Sequence, residues 1–316
     1  MTGKRSGRKG LHKTALAALF TVGSTLIRFP WRDAGDGMPL LFCLSALGAL
    51  IPALLLYPLF RHLWRRPLCR RPVRRVAAIA VAFLLCAYAL FAAWDAMRDY
   101  LSFSFDAVLP GVGRFLLTLL FLFCTVRLSA VGDRGTDVFA LLSFCAVLLC
   151  ASGLFLAGIP DYRIENLQFR LPDGVGEIAS SLLLLWRETL LPLTVLGGYF
   201  ALTVPSGGER TLAAGSLMGV ALLSVCVFQT LLIFGADLAA GFPYPYAYAV
   251  RVISVGPYFF RLEGFSYLPD YLCSTVRCAV CLGTVRRLFA RFFPRQARYA
   301  PVACGVLLAL LFLIFR

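Results

Sequence analysis

Three stretches of this sequence hold residues that could do chemistry in an apolar setting. The longest opens as Arg251-Val-Ile-Ser-Val-Gly-Pro-Tyr-Phe-Phe-Arg-Leu-Glu-Gly-Phe, with Arg261 and Glu263 at the mouth of an apolar run and Asp270 and Arg277 inside it. Charges within such a run are costly, so they face a partner or a water-filled cavity and mark a functional site. Asp270 and Arg277 are two turns apart and share a helical face. Tyr267, on the same run, joins the ligand-binding candidates. The second stretch is Arg187-Glu188, mid-way along an apolar run. Adjacent residues diverge by about 100° on a regular helix, so neither satisfies the other unless the helix breaks there. Two readings stay open: a self-neutralising pair between packed helices, or a broken helix lining a cavity, with Glu188 receiving a ligand ammonium. The third is Gly23-Ser24-Thr25, where glycine lets the backbone unwind or a ligand approach closely. An ordinary helix stop before Pro30 accounts for it equally well.

Enzyme chemistry has little to work with. The only histidines, His12 and His62, lie in basic segments, so neither a Ser–His pair nor a metal-ligand cluster forms within the apolar runs. No catalytic residue, metal or cofactor is expected. Most of the eleven cysteines sit in apolar runs and read as small packing residues. Cys278-Ala-Val-Cys281 has redox spacing but no nearby histidine, and is read the same way. Asp95 and Asp99 share a face beside Arg98 at the edge of a run, and are read as a solvated helix end.

The elements that position these residues are membrane spans. The chain of 316 residues is 60% hydrophobic and 15% charged, and several runs approach the roughly 20 residues that cross about 30 Å of hydrocarbon. The expectation is an all-α polytopic bundle of about nine spans: residues 14–27, 38–60, 76–94, 108–126, 138–159, 178–204, 211–234, 265–285 and 299–315. A basic arm (1–13) precedes a single membrane-embedded unit (14–316). The tyrosine-rich stretch after Gly241 is placed at the lipid headgroup level. The formal charge of +15 sits between runs, which speaks for topology rather than nucleic-acid binding. Basic residues cluster in the arm, after the second span and at 286–298, while the alternate connections are diluted by acids. That places the N-terminus in the cytoplasm. A short Gly/Pro-broken first span and a charge-broken sixth span are the marks of an inverted repeat, about 14–159 and 178–316, as in secondary transporters.

Arg251, Ile253, Ser254, Gly256, Phe259, Phe260, Arg261, Glu263 and Arg277 together form a pattern that resembles the spore germination permeases, the GerAB-type B subunits of germinant receptors in the amino acid–polyamine–cation superfamily. The resemblance implies a 5+5 transporter fold, here lacking the last of ten helices. It also implies an amino-acid-like germinant, A-type and C-type receptor subunits as partners, and a bacterial inner or spore inner membrane. An ion-coupled amino-acid or amine transporter of the same fold is the alternative. Within that fold Ser274 and Thr275 stand where sodium-coupled relatives place two hydroxyls against the first helix, although hydroxyls bonded to their own helix backbone explain them as well. The expected ligand site is therefore Gly23, Ser24, Thr25, Arg187, Glu188 and Tyr267, between the first, sixth and eighth spans.

Overall fold

A computed structural model describes residues 2–25, 27, 54, 55, 57–62, 64, 72–109, 111–167, 175–204, 207–253 and 263–314. Most of the expected second span, with Pro30, Ser254, Gly256, Phe259, Phe260 and Arg261, lies outside them. The described elements are helices: α1 (Thr2–Val22), α2 (Pro72–Phe103), α3 (Arg114–Val131), α4 (Asp133–Ala157), α5 (Val175–Thr203), α6 (Gly208–Gly241), α7 (Pro245–Val252), α8 (Glu263–Phe292) and α9 (Ala300–Ile314). Four of them are long and apolar enough to cross a membrane, with hydropathies of 1.8 to 2.5. Large apolar side chains on their outer faces, such as Phe83, Phe115, Leu142 and Leu149, are exposed. That is how a bundle presents itself to lipid, where the driving force between helices is packing rather than water exclusion.

Among the described elements α1 packs most extensively on α6, and α8 on α2. Small residues set the first contact. A Cβ on Gly215 would lie 2.4 Å from Ala17 Cβ and 2.5 Å from the Thr14 carbonyl, and one on Gly219 would lie 2.6 Å from the Ala18 carbonyl. The small-xxx-small face in the sequence thus brings the two backbones together. Further along α6 the helical ladder breaks at Gly235 (φ 74°, ψ 171°). The connection after α4 covers the break. Arg163 N–H donates to the Leu232 carbonyl (2.9 Å), and Asn166 Nδ2 donates to the carbonyls of Leu232 (3.2 Å) and Ile233 (3.1 Å). The polar connection is therefore a cap that satisfies backbone acceptors, which a buried kink requires.

Three boundaries differ from the sequence reading. The basic arm is not separate from the first helix, because α1 begins at Thr2. Asp95 and Asp99 are not a solvated helix end. Apolar residues Ala96, Met97, Leu101 and Phe103 continue the buried face of α2, and Asp99 is only 4% exposed. Both carboxylates lie close enough to Cys278 of α8 to act on it electrostatically. The tyrosine-rich stretch forms α7, whose Pro245, Tyr246, Ala247, Ala249 and Val250 are buried against the bundle, so Tyr246 is core and not a headgroup anchor. The Cys278–Cys281 reading stands: both are buried free thiols, and Cys278 Sγ donates to the Ala93 carbonyl at 3.4 Å.

The α1–α6 contact makes a stability prediction. In Gly219→Val the clash is with backbone, which has little room to yield, and the substitution costs about 3 kcal/mol, the upper end for overpacking. Gly153→Ala, on an exposed face of α4 with open space around it, leaves stability unchanged or raises it by up to about 1 kcal/mol. Thermal unfolding of the two variants in detergent checks the contrast.

Candidate functional site

The depth of the site follows from a cluster at one end of the bundle. Lys13 Nζ pairs with Asp137 Oδ1 at 2.7 Å, and Arg287 pairs with Asp133, one turn away on α4. Both cations also lie over the Tyr199 ring of α5, at 5.2 and 4.3 Å from its centroid. Lys13, mid-way along α1, and Arg287, near the end of α8, therefore meet at this basic cluster, and the two helices run antiparallel. Gly23 is ten residues on from Lys13, and Arg277 is ten residues back from Arg287. Ten helical residues span about 15 Å. Gly23 and Arg277 meet at about that distance from the cluster.

At the meeting point α1 stops. Gly23 N–H still donates to the Leu19 carbonyl (2.8 Å), but Thr25 N–H turns back to Val22 O (3.0 Å) and Ile27 N–H to Ser24 O (3.1 Å). Gly23 has φ +42°, a left-handed conformation that favours glycine. The last carbonyls of a helix carry a partial negative charge, so a cation is favoured there. Arg277 supplies it. Its Nη1 donates to Ser24 Oγ at 3.3 Å and, at the long limit, to Thr25 Oγ1 at 3.5 Å, and its guanidinium carbon is 5.7 Å from the Phe20 ring centroid. A Cβ on Gly23 would lie 2.5 Å from both Cδ and Nη1 of Arg277. Close approach as well as backbone conformation therefore requires glycine here.

Arg277 is 5% exposed, its Nε–H has no acceptor, and no described carboxylate pairs with it. One part of the guanidinium is thus committed to the hydroxyls, while Nε–H remains to receive an anionic oxygen. Charge-assisted bonds to carboxylates are the strong use of that group. Asp270, the acid on the same face, does not neutralise it. Seven residues of helix separate them by about 10 Å, where the attraction is only about 1–2 kcal/mol at an effective dielectric near 20. Burying each ion costs several kcal/mol.

On the side of the site away from the basic end is a second cluster. Ile27, Phe103 and Ala247 pack with Tyr244 and Tyr267, and Phe103 meets the two tyrosine rings edge-on at 5.1 and 5.5 Å. Arg251 Nη2 donates to the Ala107 carbonyl and to Tyr267 Oη (3.3 Å), and Tyr267 Oη donates to Ala107 O (3.2 Å). Tyr267 is therefore part of a roof tied to α2 and α7.

Of the predicted residues, the structure brings together Gly23, Ser24, Thr25 and Arg277, with Tyr267 and Arg251 in the roof. Arg187 and Glu188 lie on α5, whose backbone is helical from Val175 to Thr203, so the expected break at that dipeptide is not there. Instead Pro192 deprives the carbonyl of residue 188 of its helical donor. The side chains of Arg187, Glu188 and Glu263 lie outside the described residues, as do Ser254, Gly256 and Arg261. Neither Ser274 nor Thr275 bonds its own helix backbone, contrary to the simpler expectation; both are buried, whereas Thr284 on the same helix donates to Val280 O at 2.8 Å. Sequence reasoning missed Phe20 under the guanidinium and Tyr199 between the two cations, because aromatic residues in apolar runs carry no periodic signal of their own. Two apolar crevices, ≈ 560 Å³ between α4 and α6 and ≈ 290 Å³ between α3 and α9, contain none of these residues.

Comparison with known proteins places the fold. No protein-family model matches the chain, and no curated protein matches it in sequence. Among solved structures it is similar to a Na+-coupled sialic acid symporter in a substrate-bound outward-open state, with a TM-score of 0.63 and 13% identity over 97% of this chain and 73% of that one. It is also similar to MhsT in complex with L-phenylalanine, with a TM-score of 0.51 and 16% identity over 95% of this chain and 78% of that one. The chain is a multi-pass helical membrane protein with a transporter fold.

The contact between Gly23 and Arg277 is testable by a double-mutant cycle. Gly23→Ala adds a methyl where φ is positive and the guanidinium is in the way, at a cost of about 2 kcal/mol. Arg277→Ala removes the obstacle, so Gly23→Ala costs less in that background, by about 1 kcal/mol. Equal costs in both backgrounds, read from thermal unfolding in detergent, would show that the two residues do not touch.

Proposed function

We propose that this protein is a secondary transporter for a small amino-acid-like solute bearing a carboxylate, held at mid-membrane where α1 stops. One observation carries the reading: a buried guanidinium at a helix end, whose Nε–H has no acceptor and with which no carboxylate among the described residues is paired. The solute carboxylate bonds the Nε–H of Arg277. The hydroxyls of Ser24 and Thr25 hold the other part of the guanidinium in place, and Tyr267 and Arg251 close the roof. Phenylalanine and sialic acid, the solutes named with the two similar structures, both carry a carboxylate, which supports this class. The expected inverted repeat and cytoplasmic N-terminus complete the reading, with Lys13, Arg287 and Tyr199 at the inner end.

A receptor role is the second reading, favoured by the sequence pattern from Arg251 to Arg277. In it the same site binds an amino-acid-like germinant in a spore inner membrane, beside A-type and C-type subunits. Stable co-purification with such subunits, without solute passage by the isolated chain, distinguishes it.

The transport reading is tested with full-length protein in liposomes, offering each of the twenty L-amino acids and the corresponding amines. The wild type takes up one or more of the acids but not the amines that lack the carboxylate. Arg277→Lys lowers that uptake at least tenfold, because a point ammonium does not reproduce the geometry of the guanidinium, while Arg286→Gln, at the basic end, transports like the wild type. Undiminished uptake by correctly inserted Arg277→Lys would remove Arg277 from the site.

A further inference from the structure

Asp270 is the buried charge that the solute site does not use. It is 3% exposed, and its Oδ1 has no hydrogen-bond partner. It follows Pro269 inside α8 and stands about two turns beyond Arg277 toward the roof. Among the described residues the groups that face it are neutral. Tyr100 of α2, Cys226 of α6, Tyr246 of α7 and Cys273 of α8 itself are near enough to feel its charge. The described basic groups of the surrounding helices are committed elsewhere. Arg251 of α7 bonds Ala107 O and Tyr267, Arg277 bonds Ser24 and Thr25, and Lys13 and Arg287 pair with Asp137 and Asp133 of α4. The remaining acids near α8, Asp95 and Asp99 of α2, lie deeper, beside Cys278. Ser274, one turn from Asp270 and fully buried, has an Oγ without a partner and stands between the two charges.

A carboxylate enclosed without a counter-charge takes up a cation or a proton. A hard cation wants a shell of oxygen ligands. The thiols of Cys226 and Cys273 are soft and suit it poorly. The other place where this kind of fold holds a coupling cation, the C-terminal end of a half-helix, is taken at α1 by the fixed charge of Arg277. We infer that Asp270 is the coupling site of this protein, that its ion is a proton, and that transport is independent of sodium. The carboxylate accepts the proton from the roof side, becomes neutral within the closed bundle, and releases it at the opposite face.

This inference rests on the transporter reading, and one set of measurements separates the two. Full-length protein in liposomes is given a radiolabelled mixture of the twenty L-amino acids. Counterflow measures solute passage alone, and net accumulation measures coupling. In the wild type an alkaline interior raises accumulation at least tenfold, and replacing sodium by choline changes it less than twofold. Asp270→Asn loses the pH-driven accumulation but keeps counterflow within twofold of wild type. Asp270→Glu, which keeps the carboxyl, keeps accumulation within threefold and decides the matter should the Asn variant fail to fold. Counterflow together with accumulation that follows a sodium gradient overturns the proton site and leaves the transporter reading standing. So does pH-driven accumulation that survives in Asp270→Asn. Absence of counterflow in the wild type removes the transporter reading and this inference with it.

Discussion

Arg277 against the end of α1 is the constraint around which the described bundle is arranged. A helix that stops in the middle of a membrane leaves carbonyls that neither lipid nor an apolar neighbour can satisfy. A cation at that end is favoured by the helix dipole, but a buried guanidinium is itself costly, so each is tolerable only because of the other. The geometry then propagates. Arg277 reaches Ser24 and Thr25 only because Gly23 has no side chain in its path. Gly23 sits at that height only because Gly215 and Gly219 let α6 hold α1 backbone to backbone. Two pairs of contacts on different faces of α1 therefore fix one position.

The two ends of the bundle are built on a different principle. At the basic end, charge closes the structure: two Lys/Arg–Asp pairs share one aromatic ring, and Lys13 and Asp137 keep side-chain exposures of only 11% and 16%. At the roof, rings and a backbone carbonyl do most of the work, with Tyr244 donating to Asp106 Oδ2 at 3.0 Å at the exposed rim. A largely buried pair such as Lys13–Asp137 is costly to break, because removing one partner leaves the other charge buried and unpaired.

Much of this was readable from residue order, and the parts that were not have a common cause. The stop in α1 was legible as one of two options because glycine, two hydroxyls and a later proline interrupt a run too short to cross. Arg277 was legible because a charge deep in an apolar run needs a partner. What that partner would be was not. Helical periodicity pointed to Asp270 on the same face, whereas the actual contacts are Ser24 and Thr25, some 250 residues away. Periodicity describes one helix at a time and is silent about which helix lies opposite. The same limit explains Asp99 and Tyr246. A carboxylate after the last strongly apolar window reads as solvated, and a tyrosine beside prolines reads as interfacial, until another helix is laid over them.

The contrast among hydroxyls on α8 shows how such a limit is overcome. Thr284 returns its proton to the carbonyl four residues back, as Thr230 does on α6 and Thr21 on α1. That is the ordinary resting place of a hydroxyl in an apolar helix. Ser274 could do the same at no cost in backbone geometry, and it does not. Its neighbours on the stripe are Asp270 and Arg277, two charges too distant to neutralise each other and too buried to be solvated. A polar stripe whose members decline their cheapest local partners is not arranged for the stability of its own helix. The stripe, more than any single charge in the sequence, distinguishes this bundle from one held together by packing alone.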